Sequence, residues 1–310
     1  MATTSVIWRA DLDAPFRGMR RRRGIADSSS EPASPDARID AGHSSATHPF
    51  AERRVEHFER ASAFSLVATQ GAFLCGVTAA VIHRLPVPLE AGQALEVGRL
   101  YPSRAPRWRN VLGVQIMPRL ASLTTVAGLR VTTPVTTWAM LARRLTLESL
   151  VVLGDAIVYS SRNRPRALGS IEELTTAAWL PGRPGAPILR RAVSLIRVGA
   201  ASPPESKLRL ALVMAGLPEP TLDVEVRDGR GRLLGRSELA YPQRRIAIEY
   251  ESDHHRVDRG QWNRDIEKYQ AYVEAGWQVL RVTAEMLRNR SHEVVQRVSA
   301  ALGELGTLSK

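Results

Sequence analysis

The chain has 310 residues, enough for two average domains, and at 44% hydrophobic it can build real cores. No apolar run approaches the ~18 residues of a membrane span, and no apolar stretch follows the N-terminal charges as a secretory leader would, so no membrane segment and a cytoplasmic location are expected. One cysteine, Cys75, excludes an internal disulfide and a cysteine-based zinc cluster, while the net charge of +12 is uneven: residues 1–200 carry +11 and residues 201–310 carry +1, a basic half that suits a polyanion such as nucleic acid.

Residues 1–48 mix Ser, Ala, Pro, Asp and Arg without apolar periodicity and read as a disordered tail, with Arg20–Arg23 as a solvated basic run. Residues 49–198 read as a mixed α/β domain. Helical patterns cover Val55–Ala68 and Val77–Leu85; strand-like runs follow at Leu95–Val97, Val111–Met117 and Leu129–Thr132. Four helical segments come next, near Thr136–Arg143, Leu147–Ser160, Ile171–Ala178 and Ile188–Val198. The Gly and Pro cluster at 199–204 is the expected domain boundary.

Residues 199–310 give a clearer pattern. Ser202-Pro203-Pro204-Glu205 opens a helix that Gly216 stops, and Leu222–Val226 and Leu233–Tyr241 flank the turn Asp228-Gly229-Arg230-Gly231 as a hairpin. A strand at Arg245–Glu251 precedes a helix over Gln261–Ala275, whose apolar stripe is Trp262, Ile266, Tyr269 and Val273. A strand at Trp277–Val282 and closing helices capped by Thr283 complete the order α-β-β-β-α-β-α. The glycine-rich run 229–235 lies inside the hairpin and opens no helix, so it is not a phosphate loop.

Carboxylates stand where this pattern least favours them. Side chains alternate along a strand, so Glu249 and Glu251 share a face with Ala247, opposite Ile246, Ile248 and Tyr250. Glu238 reaches that face if its strand pairs with theirs, and Glu205 sits in the first turn of the helix expected to cross the sheet. Four carboxylates converging on one spot repel each other strongly without a cation, and hard oxygens of this kind suit Mg²⁺ or Mn²⁺. Each also has a plainer reading: Glu205 completes a Ser-x-x-Glu capping box, Glu238 can pair with Arg236, Arg244 or Arg245, and Asp265 is three residues from Lys268 on one helix face.

The order of elements, with an acid on the second strand and Glu-x-acid on the third, resembles the PD-(D/E)XK nuclease core. More closely, the stretches 205–218, 235–255 and 261–283 resemble a family of uncharacterised bacterial proteins. Their C-terminal domain is related to the very short patch repair endonucleases, and the likeness spans residues 200–302. The region 60–198, with "VTTPVTTWAMLARRL" and "LEVGRL", resembles the abortive-infection antitoxin-like half of the same proteins. The resemblance implies an α+β restriction-endonuclease-like domain at 199–310 that cuts DNA with Mg²⁺ or Mn²⁺. Glu205, Glu238, Glu249, Glu251, His254 and His255 would be catalytic, Glu238 and Glu249 would hold the metal, and Lys268 and Asp265 would lie against the substrate. Two departures lengthen a carboxylate arm by one methylene: Glu238 stands where the family has Asp, and Glu251-Ser252 replaces Asp-Gly. The alternative is a nuclease fold without metal chemistry that serves as a DNA-binding or antitoxin-type regulatory module; the expected partner in either case is DNA, with a homodimer as one assembly.

Overall fold

The computed structural model describes residues 12–13, 21–22, 49–161, 164–251 and 259–303. Of the tail expected over 1–48 only a two-residue antiparallel ladder belongs to them, pairing β1 (Leu12–Asp13) with β2 (Arg21–Arg22); the rest, Arg20 and Arg23 included, lies outside the described residues. The described chain is a mixed α+β structure in two compact units. The first comprises Met1–Arg144 and Glu172–Ala186, the second Leu145–Ile171 and Pro187–Lys310.

Unit 1 is built on α1 (Pro49–Val67), β3 (Phe73–Leu74), α2 (Gly76–Ile82), β4 (Leu95–Leu100), β5 (Val111–Ile116), β6 (Leu123–Val126), β7 (Leu129–Thr132) and α3 (Pro134–Met140). Its five strands run in the order β5-β4-β3-β7-β6, with β4–β5 and β3–β7 parallel. Alternation sends Leu95, Val97, Leu129 and Val131 into one core with Ala61, Phe64 and Ala79 of the helices, while Phe73, Ile116 and Leu120 pack on the opposite face. Beneath this sheet Glu96 is buried: Oε1 accepts from the Val77 amide at 3.1 Å and Arg144 Nη1 at 2.9 Å, and Oε2 accepts from Arg144 Nη2 at 2.6 Å. Only glycine fits beside it, because Gly76 has φ +54° and a Cβ there would lie 1.9 Å from Glu96 Oε2.

The division differs from the boundary expected at 199. The helix α4 (Leu147–Val158) belongs with unit 2, whereas most of α5 (Ile171–Trp179) belongs with unit 1. A buried ion network explains why α4 sides with the C-terminal region. Arg209 is fully buried on α7 (Pro203–Met214) and donates to Asp155 Oδ2 of α4 at 2.9 Å, to Glu219 Oε1 at 2.8 Å and to the Leu195 carbonyl at the end of α6 (Ala186–Leu195) at 2.8 Å. The Arg197 amide closes the other side of Asp155 at 2.8 Å. Breaking such a pair leaves a buried charge alone, a penalty of about 3–5 kcal/mol, so α4 cannot readily leave α7.

The sheet of unit 2 has the order β11-β10-β9-β8, from β8 (Thr221–Arg227), β9 (Leu233–Tyr241), β10 (Ile246–Glu251) and, after α8 (Arg259–Glu274), β11 (Gln278–Thr283). The first three strands are antiparallel, and the α8 crossover makes β10 and β11 parallel. One face packs Leu239, Ile246, Ile248 and Val282 against Leu208 and Leu212 of α7, Met286 of α9 (Ala284–Asn289) and Val294 and Val298 of α10 (Ser291–Leu302). The other face packs Val226 and Ala247 against Tyr272 of α8. Thr283 caps α9 as expected, its hydroxyl accepting from the Met286 amide at 3.2 Å.

Helix α8 departs from its expected orientation. Of the apolar stripe, Ile266 is 46% and Val273 60% exposed, and the side chain of Trp262 lies outside the described residues. The inner face is instead Asp265, Lys268, Tyr269 and Tyr272, spaced i, i+3, i+4, i+7. Hydrophobic periodicity cannot explain a helix that turns a lysine and an aspartate inward. What they meet on the sheet does.

Candidate functional site

The β9–β10 ladder runs from Ile246↔Tyr241 to Ile248↔Leu239 and stops there. Continued by one step, its register sets Glu249 opposite Glu238, and at that point a side chain replaces the main chain: Glu238 Oε2 accepts from the Tyr250 amide at 2.9 Å. On the other side, the parallel register places Arg281 of β11 beside Glu249. The β8–β9 register, read between Leu222↔Leu239 and Val224↔Ser237, puts Asp223 opposite Glu238. Asp223 has φ +51°, a left-handed conformation that Asp tolerates better than most residues. The break resets the alternation of β8, so that Leu222 packs toward α7 and Val226 toward α8. A single row thus crosses four strands: Asp223, Glu238, Glu249, Arg281. Asp223 is the member that sequence reading missed.

Glu249 is 3% exposed and is the buried centre of the row. Its Oε2 accepts from Lys268 Nζ at 2.9 Å, and the ammonium lies 5.4 Å from the ring centroids of both Tyr269 and Tyr272. Lys268 was expected against substrate; its ammonium lies on the acid. Glu249 Oε1 has no hydrogen-bond donor. The Ser237 hydroxyl stands near enough to favour the charged carboxylate, but its proton is directed at the Leu239 carbonyl 2.9 Å away, which leaves that oxygen open. The Tyr272 hydroxyl is likewise buried without a partner. It presses on Gly235, where a Cβ would sit 2.8 Å from it and 3.4 Å from Lys268 Cε, so the absent side chain makes room for the lysine arm.

Electrostatics follow from crowding in a low-dielectric setting. Burial pushes the Glu238 carboxyl up to about 8, helped by the Glu205 charge and opposed by the Tyr250 amide. Glu249 is also raised, by burial first, with Lys268 pulling the other way and Asp265 adding to the rise. Burial and the charges of Glu249 and Asp265 raise the Tyr269 phenol too. Glu205 is raised by burial and by the neighbouring Asp223 and Glu249 charges. Its oxygens are both engaged within its own helix start: Oε2 accepts from the Ala201 amide at 3.0 Å and Oε1 from the Ser202 hydroxyl at 2.8 Å. The Ser202–Glu205 capping expected from the sequence is thus formed in a shifted version: the Ser202 hydroxyl accepts from the Glu205 amide at 3.4 Å, and the glutamate reaches the Ala201 amide instead of that of Ser202.

The remaining predicted residues divide. Glu251 shares the face of Glu249 but forms an ion pair with Arg281 Nε. The arginine also lies 5.5 Å from the Tyr269 ring centroid. Arg236, offered as a partner for Glu238, binds Asp223 at 2.6 and 2.9 Å and Glu225 at 3.2 Å instead. His254 and His255 lie outside the described residues.

Among the described residues no group of three or more His, Cys, Asp or Glu is arranged to hold a metal ion. The chemistry of the pair Glu238–Glu249 nonetheless fits a hard divalent cation. One buried oxygen lacks a donor, and the neighbouring Glu238 carboxyl is pushed up to about 8 by burial and by the Glu205 and Glu249 charges, which a cation would offset. Mg²⁺ needs no more protein than one or two carboxylates, waters and substrate phosphate completing its shell.

Two proteins of Mycobacterium tuberculosis, both described as uncharacterised, are similar to this chain; one is from strain CDC 1551 and one from strain H37Rv. Each is 28% identical over 197 residues, which span 63% of this chain and 70% of the relative. No family model matches the chain. No solved structure matches it. No helix among the described residues is long and apolar enough to cross a membrane. The chain is thus an α+β protein with a crowded acidic row on its C-terminal sheet and relatives of 28% identity in mycobacteria.

Proposed function

We propose that unit 2 is a metal-dependent DNA endonuclease domain. The observation that carries the reading is the buried Glu249, paired by Lys268 on one oxygen and open on the other, next to a Glu238 raised to about 8. The buried Glu249 and the Lys268 ammonium meet under a helix that leaves Ile266 and Val273 exposed, and hydrolysis of a phosphodiester gives such a carboxylate–lysine cluster a use. Glu249 and Glu238 would hold Mg²⁺ or Mn²⁺, which when bound supplies an acidified water and neutralises charge on the phosphate. Lys268, freed from Glu249, would donate to a non-bridging phosphate oxygen, and Asp265, on the same helix face, would lie against the substrate beside it. Glu251, His254 or His255 would take up the proton of the attacking water. Unit 1, where the positive charge concentrates, would grip the DNA backbone.

Two features favour a second reading, a module that binds DNA or acts as an antitoxin-type regulator without cutting. Glu205 is fully engaged in capping, and Lys268 already neutralises Glu249 without a metal. Thermal melts in EDTA and in Mn²⁺, combined with nicking assays on duplex, mismatched and single-stranded DNA, separate the two. The nuclease reading expects Mn²⁺ to raise the melting point of the wild type but not of Glu249→Gln, and nicks to accumulate only with the wild type. No Mn²⁺ stabilisation and no nicking, with DNA still retained, would leave the binding module standing. Glu238→Asp combined with Glu251→Asp and Ser252→Gly should raise nicking if arm length limits the site.

A further inference from the structure

We infer that the loop joining β4 to β5, residues 101–110, is a preformed contact for the phosphate backbone of duplex DNA, made by Arg104, Arg107 and Arg109. The choice of DNA as the polyanion rests on the reading just given; the loop's affinity for phosphate does not.

Residues 97–147 contain eight arginines and no Asp or Glu, so most of the chain's net +12 comes from one acid-free stretch of unit 1. Two of the eight are engaged: Arg144 binds Glu96, and Arg99 donates to the Gln70 carbonyl. Arg104, Arg107 and Arg109 are exposed and make no ion pair or hydrogen bond among the described residues. Unpaired arginines on a floppy loop would be ordinary solvated charge. This loop is fastened at several points. The Tyr101 amide donates to the Ile116 carbonyl at 2.9 Å and the Ser103 amide to Leu100 at 3.0 Å, while Gln115 Nε2 holds the Ser103 carbonyl at 2.8 Å. At the far end Leu95 N donates to Asn110 O at 3.0 Å, and the Trp108 ring meets Phe64 edge-on with centroids 5.6 Å apart. Between them the Pro106 carbonyl lies so close to Gly113 that a Cβ there would be 2.0 Å away, so the loop lies flat on β5 only because that strand carries glycine.

The sequence thus builds a loop in which Pro106 and Trp108 are partly buried between the arginines while the three guanidinium groups are left unpaired. Fixing the backbone beforehand reduces the ordering penalty of binding. Five residues of extended chain reach at most ~17 Å, so the arginines start within the span of a few successive phosphates, one every ~3.4 Å of axis along a strand. Guanidinium groups suit phosphate because two parallel N–H donors match two of its oxygens.

The test uses the full-length chain in EDTA and a fluorescein-labelled 20-base-pair duplex, with affinity read by anisotropy from low to moderate salt. Arg104→Ala, Arg107→Ala and Arg109→Ala together should weaken binding at low salt by at least ~10-fold and flatten log K against log salt by about 2.7, roughly 0.9 for each lost phosphate contact. The control removes the same charge from exposed positions of unit 2: Arg230→Ala, Arg244→Ala and Arg288→Ala. Equal losses in both triples would reduce the effect to net charge and overturn the proposal, as would an unchanged slope. Phosphatidylserine vesicles and an RNA duplex serve as competitors; displacement of the DNA by vesicles more effectively than by unlabelled DNA would assign the loop to a membrane surface instead. Should the triple variant melt early, Arg107→Glu alone must still lower affinity several-fold. Because cleavage is silent in EDTA, a negative result leaves the carboxylate site untouched, whereas loss of nicking in Glu249→Gln with loop-dependent binding intact separates the two ideas from the other side.

Discussion

Glu96 in unit 1 and Glu249 in unit 2 are almost equally buried, at 2% and 3% exposure, and both have a basic partner. Glu96 is complete. Arg144 grips it with two nitrogens, the Val77 amide adds a third donor, and Gly76 is shaped to admit it. Glu249 is incomplete: one lysine hydrogen bond, one open oxygen, and a second raised carboxyl beside it in Glu238. Burial of a carboxylate therefore says little about its task. Unfilled valence among like charges is the discriminating sign, because a structural ion pair persists only when its lone pairs are satisfied.

Removing each acid should expose this difference. Glu96→Ala leaves a buried amide and a guanidinium without their acceptor; with Arg144 42% exposed, the loss belongs at the low end of the buried-pair range, about 3 kcal/mol by urea denaturation. A loss under ~1 kcal/mol would erase the contrast. Glu249→Gln in EDTA should change stability by less than about 1 kcal/mol in either direction, since relief of repulsion offsets the weakened Lys268 contact. A drop as large as that of Glu96→Ala would make Glu249 a structural partner of Lys268.

The Glu238 carboxyl sharpens the comparison through pH. Unfolded, it releases its proton near the ordinary carboxyl value of 4.5, and folded at about 8. The folded state therefore holds more protons between these values, so the stability of the neutral form is fully present below about 4.5 and is lost as pH rises to about 8. Glu238→Gln should flatten that decline, and urea midpoints from pH 5 to 9 would show it. Parallel curves for the two proteins would mean that the carboxyl is charged throughout. The smallest effect is expected at the rim: Arg281→Ala removes a half-exposed partner of Glu251 and should shift the midpoint by no more than ~0.5 kcal/mol. A larger shift would mean that the Arg281 guanidinium acts as a buried ion-pair partner despite its exposure.

Much of unit 2 was legible because its punctuation is local. The Ser202–Glu205 box, the hairpin turn at 228–231 and the cap at Thr283 each announce an element end within a few residues, and these elements form within one or two positions of expectation. In unit 1, β3 is two residues long and β6 is Leu-Thr-Thr-Val, too short and too polar to stand out. The attachment of α4 depends on Asp155 meeting an arginine 54 positions away, which no local pattern reveals. Within the site, alternation placed Glu249 and Glu251 on the correct face. Asp223 was missed because strand reading assumes unbroken alternation, and a left-handed residue breaks it. Counting back from the turn does not recover it either, because the bulge between Val226 and Arg227 shifts the register before Asp223 is reached. On α8 the apolar stripe predicts the inner face at Tyr269 but not at Ile266 or Val273, because the lysine between them turns inward to meet the Glu249 carboxylate.

The hydrogen bond from the Tyr250 amide to Glu238 makes the end of β10 sensitive to the state of a side chain. Along the paired registers of this sheet a strand's backbone is tied to another backbone, and its protection from solvent hydrogen is a property of the fold. Here an amide proton is held by a carboxylate that any ligand at the row would draw away. Its exchange rate is therefore a built-in gauge: slow while Glu238 stays on the strand, faster once the carboxylate turns to another task, and readable residue by residue without any knowledge of what the ligand is.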